Sequence, residues 1–103
     1  MIPVFKPYMD QEEKAAVLRV LDSLWWGLGP ETSKFEDEFL KYLGASNGVA
    51  TNSGTAALHM ALLALNLKPK EEVILPSFTF VSSADVIKYV GAKPVSLDNL
   101  KTH

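Results

Sequence analysis

An α/β fold built on a parallel sheet is what this sequence predicts, and three observations predict it. Stretches with helical spacing alternate with short apolar runs of strand length. Glycine and proline fall where the pattern changes. A Ser-Gly-Thr turn follows one of the short runs and opens a long apolar helix.

Met1 to Met9 carries Pro3 and Pro7 and reads as an extended arm. Asp10 with Glu13 has the spacing of a capping box, and Val17, Leu21 and Leu24 recur on one face, so a helix is expected from Asp10 to Leu24. Trp25-Trp26-Gly27-Leu28-Gly29-Pro30 must break it. Ser33 and Glu36 form a second candidate capping box, and Phe35, Phe39 and Tyr42 share a face, which predicts a helix over Ser33–Leu43. Gly44 stands where a helix C-terminus favours positive φ.

Gly48–Thr51 is a strand candidate. Ala56–Leu67 contains no Gly or Pro and is almost wholly apolar, so that helix is expected to be buried around most of its circumference. Val73–Leu75 reads as a buried strand closed by Pro76, Ser82–Val90 as a helix ended by Gly91, and Pro94–Leu97 as a third strand. This order implies right-handed βαβ units. Asp98 to His103 follows directly on a strand, where an α/β domain ordinarily continues, so the domain is expected to be cut.

The composition excludes several function classes. The chain has 103 residues, enough for one small domain; 48% are hydrophobic and 21% charged, a soluble globular balance. Ten basic and 12 acidic residues give a formal net charge of -2 with no basic block, which argues against nucleic acid and anionic membranes. Cysteine is absent, so disulfides and thiolate metal sites are excluded and a reducing compartment fits. His59 and His103 have no metal-ligand spacing. No signal peptide or membrane span is evident, which points to a cytoplasmic protein.

Two motifs carry chemistry. Thr51-Asn52-Ser53-Gly54-Thr55 lies between a strand candidate and a helix start, where the first backbone N–H groups lack partners and the helix dipole is positive. Gly54 admits an anion close to the backbone, and Thr55 adds a hydroxyl, so the turn can cradle a phosphate. The same pattern also serves as an ordinary N-cap, and local physics leaves both readings open. Pro76-Ser77-Phe78-Thr79-Phe80 follows the carboxyl end of a strand, where α/β folds bind ligands. One of its aromatic rings can stack on a flat cofactor; the other reading makes Phe78 or Phe80 a core residue.

SNGVATNSGTAALHMALLAL, followed by EEVILPSFTFVSSADVIKYVGAKPVSLDN, resembles the large-domain opening of the DegT/DnrJ/EryC1/StrS family of sugar aminotransferases, which depend on pyridoxal 5'-phosphate (PLP). IPVFKPYMDQEEKAAVLRVL and WWGLGPETSKFEDEFLKYLGA resemble the preceding segments, so the resemblance covers essentially the whole chain. It implies an aspartate aminotransferase-like, fold type I large domain with a parallel-leaning sheet, present in part and truncated. Residues 1–45 would supply the N-terminal helices and turn, and residues 46–103 the start of the cofactor-binding βαβαβ unit.

The resemblance also implies roles. Gly54 and Thr55 match positions that bind the PLP phosphate, with Ser53 beside them, and Phe80 matches the aromatic residue stacked on the pyridine ring. Phe78, Ser82 and Ser83 are neighbours or scaffold. Gly27, Leu28 and Gly29 match a turn near the sugar, although some members carry hydroxyl residues where this chain has Gly27 and Leu28. Lys70-Glu71 replaces a frequent Gly-Asp in a surface turn. The family's Schiff-base lysine lies beyond His103, and none of the nine lysines here sits in a matching motif, so no catalytic residue is expected in this chain.

Two readings follow. In one, the chain is part of an enzyme that transfers an amino group from an amino acid, commonly glutamate, to a nucleotide-linked keto-sugar, working as a homodimer. In the other, the 103-residue polypeptide is a non-catalytic piece that binds phosphate or PLP weakly, or self-associates. Another fold type I PLP enzyme is a third possibility. His59 is expected to be a packed histidine, and Trp25 and Trp26 to serve packing or subunit contact.

Overall fold

The computed structural model describes residues 2–97. The six residues after Leu97, where a continuing domain was expected, lie outside the described residues. The chain forms two compact units, Met1–Val49 and Ala50–His103.

In the first unit, Asp10 opens α1 (Gln11–Asp22) with the expected reciprocal cap. The Glu12 amide donates to the Asp10 carboxylate at 2.8 Å, and the Asp10 amide donates to Glu13 at 2.7 Å. The helix stops two residues before the expected end, because Leu24 adopts φ 58°. The Ser23 hydroxyl holds this exit, donating to the Val20 carbonyl and accepting from the Trp25 amide.

The second helix, α2 (Pro30–Leu43), starts earlier than expected. Proline has its φ preset for the first helical position and lacks an N–H that would go unpaired there, so Pro30 takes that place. Gly29 becomes the N-cap, and the Ser33 amide is already bonded to the Gly29 carbonyl at 3.1 Å. The Ser33–Glu36 capping box therefore does not form. Phe35 and Phe39 stack at 5.6 Å on one face. Gly44, at φ 68°, ends the helix in the left-handed conformation, with the Ala45 amide donating to the Leu40 carbonyl.

The expected strand over residues 48–51 is absent. The sheet described contains two strands, and neither pairs with this segment. A strand exists only as a ladder, and a short apolar run does not by itself supply a partner.

The second unit contains α3 (Gly54–Ala64), β1 (Glu72–Pro76), α4 (Ser82–Tyr89) and β2 (Lys93–Leu97). Helix α3 ends earlier than expected, with Asn66 at φ 50°. β1 and β2 pair in parallel, Glu72 opposite Lys93 and Ile74 opposite Val95. The Lys93 amide donates to the Glu71 carbonyl at 2.8 Å. With that bond and this register, residues 71, 73 and 75 turn their backbone groups to β2, while 93, 95 and 97 answer from the other strand. Pro94 and Pro76 face outward, where a missing N–H leaves the ladder intact.

The core of the second unit is small. Val86 and Ile87 of α4 and Ala92 before β2 are the buried hydrophobic residues among those described. α4 packs on both strands and on α3. The expectation that α3 would be buried around its circumference is not met. None of its residues is buried, and Leu58, Met60 and Leu63 are exposed, because only its α4-facing side has a substantial packing partner in this unit.

Candidate functional site

Ser53 organises the turn at the start of α3. Its hydroxyl accepts from the Ala56 amide at 3.1 Å, and its carbonyl accepts from the Ala57 amide at 3.0 Å. Thr51 opens the motif but has no role of its own in the sequence reading, yet its hydroxyl donates to the same carbonyl at 3.0 Å and clamps the approach to the helix. A Thr two residues before a Ser cap was the available signal. Ser53 thus fills the N-cap role, and its own O–H points only to a long 3.5 Å contact with Asn52.

The cap leaves two donors over. Among the described residues, the Gly54 and Thr55 amides have no hydrogen-bond partner, and neither does the half-buried Thr55 hydroxyl. No acidic residue lies in the first turn of α3, whereas α1, α2 and α4 each carry at least one. A Cβ added at Gly54 would meet nothing within 4 Å, so there is open space beside the donors. Free amides, a hydroxyl, positive dipole and room are what a phosphate needs, and the residues fit the phosphate end of PLP.

An apolar cavity of about 190 Å³ lies between α3, β1 and α4. Leu58, three residues after Thr55, lines it together with Leu75 near the end of β1 and Ser83, three residues after Phe80. α3, β1 and α4 therefore meet along this cavity, which is lined neither by the Thr51–Thr55 turn nor by residues 76–80. The Phe80 carbonyl accepts from the Ser83 amide at 3.0 Å, and Ser83 and Thr79 hydroxyls lie 3.4 Å apart. Phe78 and Phe80 are both exposed, at 101% and 76%, so neither is a core residue and the core reading fails for both. His59 is half-buried with its ring 5.7 Å from Tyr89, edge to face.

Gly27, Leu28 and Gly29 belong to the first unit. They adjoin a cavity of about 260 Å³ whose lining includes Arg19, Trp25, Trp26 and Gly29. Trp25 donates its indole N–H to the Leu28 carbonyl at 2.8 Å, and Trp26 to the Leu21 carbonyl at 3.1 Å. A Cβ at Gly29 would run into the Trp25 indole, so packing alone gives this glycine a reason. Among the described residues no acidic or histidine group could hold a metal, and no helix is long and apolar enough to cross a membrane.

The family model described as the DegT/DnrJ/EryC1/StrS aminotransferase family matches residues 7–103. The chain belongs to that family. A UDP-4-amino-4-deoxy-L-arabinose–oxoglutarate aminotransferase of Shewanella sediminis is 40% identical to this DegT/DnrJ/EryC1/StrS member over 97 residues, covering 94% of this chain and 25% of the relative. The crystal structure of the aminotransferase TlmJ from Streptoalloteichus hindustanus superposes with a TM-score of 0.86 at 40% identity, over 96% of this chain and 28% of that one. An E. coli GDP-4-keto-6-deoxy-D-mannose-3-dehydratase with bound hydrated PLP reaches 0.86 at 25% identity, over 94% and 26%. The chain thus spans about a quarter of the length of the relatives it matches. Its helices and parallel strands are part of the fold shared by PLP-dependent aminotransferases.

Proposed function

We propose that these residues form the phosphate end of a PLP site in an aminotransferase acting on a nucleotide-linked keto-sugar. The observation that carries this reading is the pair of unpartnered amides, Gly54 and Thr55, at a helix start free of carboxylates. Gly54 and Thr55 bind the phosphate through backbone N–H groups, and the Thr55 hydroxyl adds a third donor. Ser53 holds the turn through its bond to the Ala56 amide, so the donors are oriented before the ligand arrives. Phe80, exposed after the carboxyl end of β1, covers one face of the pyridine ring and excludes water from it. When bound, PLP supplies the electron sink for amino-group transfer, while the protein supplies position and orientation.

The relatives that act on UDP- and GDP-linked sugars support a nucleotide-sugar as acceptor and an amino acid, glutamate, as donor. The Gly27–Gly29 turn belongs to the sugar side, and the working form is a cytoplasmic homodimer. Within the whole protein, Thr55→Val should weaken PLP binding by about 1–3 kcal/mol, the usual range for a hydrogen bond to a charged group. Binding of pyridoxal, which lacks the phosphate, should be unchanged. Equal losses for both ligands would sink the phosphate assignment. Phe80→Ala should weaken both, through lost stacking.

A second reading is dehydration of the same class of keto-sugar, favoured by the likeness to the PLP-containing dehydratase. Incubating the whole protein with a nucleotide-linked keto-sugar and glutamate separates the two. An amino-sugar product supports the first reading, and a deoxygenated product without nitrogen supports the second.

A further inference from the structure

The Ser53–Gly54 peptide ties the first donor of the turn to a residue outside the helix. This peptide is trans and planar, so the Ser53 carbonyl and the Gly54 N–H are two ends of one rigid group and point in opposite directions. Whatever fixes the carbonyl therefore aims the amide. Two hydrogen bonds fix it. The Ala57 amide donates to it at 3.0 Å from the first turn of α3, and the Thr51 hydroxyl donates to it at 3.0 Å from the chain before the helix. A carbonyl oxygen offers two lone pairs, and these two donors account for both. The Ala57 bond is the first rung of the helix and accompanies any N-cap. By itself it leaves the peptide plane free to rock about that bond. The Thr51 bond comes from outside the helix and holds the plane in one orientation.

We propose that Thr51 is a positioning residue of the phosphate turn: by holding the Ser53 carbonyl, its hydroxyl sets the direction of the Gly54 N–H toward the phosphate. The inference rests on the phosphate reading above and adds to it a residue that acts through the backbone rather than on the ligand. A bond to the carbonyl also polarises the peptide, which strengthens its N–H as a donor. The Ser53 hydroxyl is engaged elsewhere, accepting from the Ala56 amide at 3.1 Å. The two hydroxyls thus divide the turn between them. Ser53 satisfies the third amide of α3, Thr51 orients the peptide that carries the first, and the Gly54 and Thr55 donors are left to a ligand. All of these bonds lie within residues 51–57, so the arrangement needs no open surface and no second chain. Thr51 itself is half-buried.

The ratio of PLP affinity to pyridoxal affinity in the whole protein tests this, because pyridoxal lacks the phosphate and contributions common to both ligands cancel. Thr51→Val keeps the shape of the side chain and removes its hydroxyl. It should lower the ratio by roughly threefold or more, within the range for one hydrogen bond, and leave pyridoxal affinity unchanged. Thr51→Ser retains the hydroxyl and should retain the wild-type ratio. A threonine with a structural role alone would lower the melting temperature, or both affinities equally, with the ratio intact, and that result overturns the proposal. Thr55→Val controls for the phosphate reading. If Thr55→Val lowers the ratio and Thr51→Val does not, the positioning role is refuted while the phosphate assignment stands. If neither lowers it, both fall. Should circular dichroism show that Thr51→Val does not fold, Thr51→Cys takes its place, since a thiol is a weak donor. An unchanged ratio in that variant refutes the proposal.

Discussion

Lys70 carries a backbone burden that its surroundings do not explain. It sits in the turn before β1 at φ 77°, in the left-handed region, where a Cβ crowds the backbone. Glycine, which the family resemblance implies at this position, would enter this region without strain. From sequence the exchange looked like an indifferent surface change, since nothing in a lysine announces its φ. Lys70→Gly should stabilise the second unit by roughly 0.5–1 kcal/mol, the relieved strain of about 1–2 kcal/mol less the added flexibility of glycine in the unfolded chain. Chemical denaturation measures this, and a loss of stability would refute the strain argument. Lysine chemistry offers a second residue-scale test. If none of the nine lysines is the family's Schiff-base residue, as the resemblance implies, adding PLP to the 103-residue chain and reducing with borohydride should label several of them substoichiometrically. Stoichiometric labelling of one lysine, mapped by mass spectrometry, would place reactive chemistry within this chain.

The helices were legible where a side chain or a glycine announces a boundary. Ser53 caps α3, so Ser53→Ala should lower stability by about 1 kcal/mol and loosen the turn proposed to hold phosphate, since the cap orients the Gly54 and Thr55 amides. Asp10 caps α1, and the Glu13 side chain together with the Glu12 amide holds its carboxyl below the ordinary carboxylate range. A lowered folded-state value means that the stabilisation is present above the unfolded value and disappears as pH falls through the folded one. Acid titration by far-UV circular dichroism should therefore show α1 fraying at strongly acidic pH, and Asp10→Asn should remove that transition while leaving the rest of the curve. Gly44 and Gly91 were equally readable as helix stops. Boundaries set by competition between neighbours were not. Ser33 and Glu36 had the right spacing, but Pro30 began the helix first. Residues 48–51 had strand composition, but pairing is a property of two segments and cannot be read from one. The Ser53–Thr55 turn and the Phe80 segment are the sequence's candidates for the site, and the structure places the first at the start of α3 and the second after the carboxyl end of β1. The Thr51 clamp was missed because its hydrogen bond depends on how the chain folds back on itself.

Stability of the whole molecule rests on very few residues. Val86, Ile87 and Ala92 are the buried hydrophobic residues described, all in the second unit, while large apolar side chains such as Phe35, Leu63, Ile74, Phe78 and Phe80 remain exposed. Burial of apolar area supplies about 25 cal/mol per Å², so side chains left in water contribute little to holding the chain folded. Helices α1 and α2 contain no buried residue, and their caps and local pairs cannot substitute for a core. The surface released on unfolding is correspondingly small, and the denaturant slope scales with that surface. The 103-residue chain, measured at low concentration, should therefore unfold with a urea m-value at or below about 1 kcal/mol/M, the low end for small proteins. Helical signal from α1 and α2 should be lost before the signal of the second unit, because local opening requires little where nothing is buried. The native chain should also bind a hydrophobic dye such as ANS. A single coincident transition with a slope near 2 kcal/mol/M and no dye binding would mean that the exposed apolar faces are covered in solution and that the core is larger than these residues.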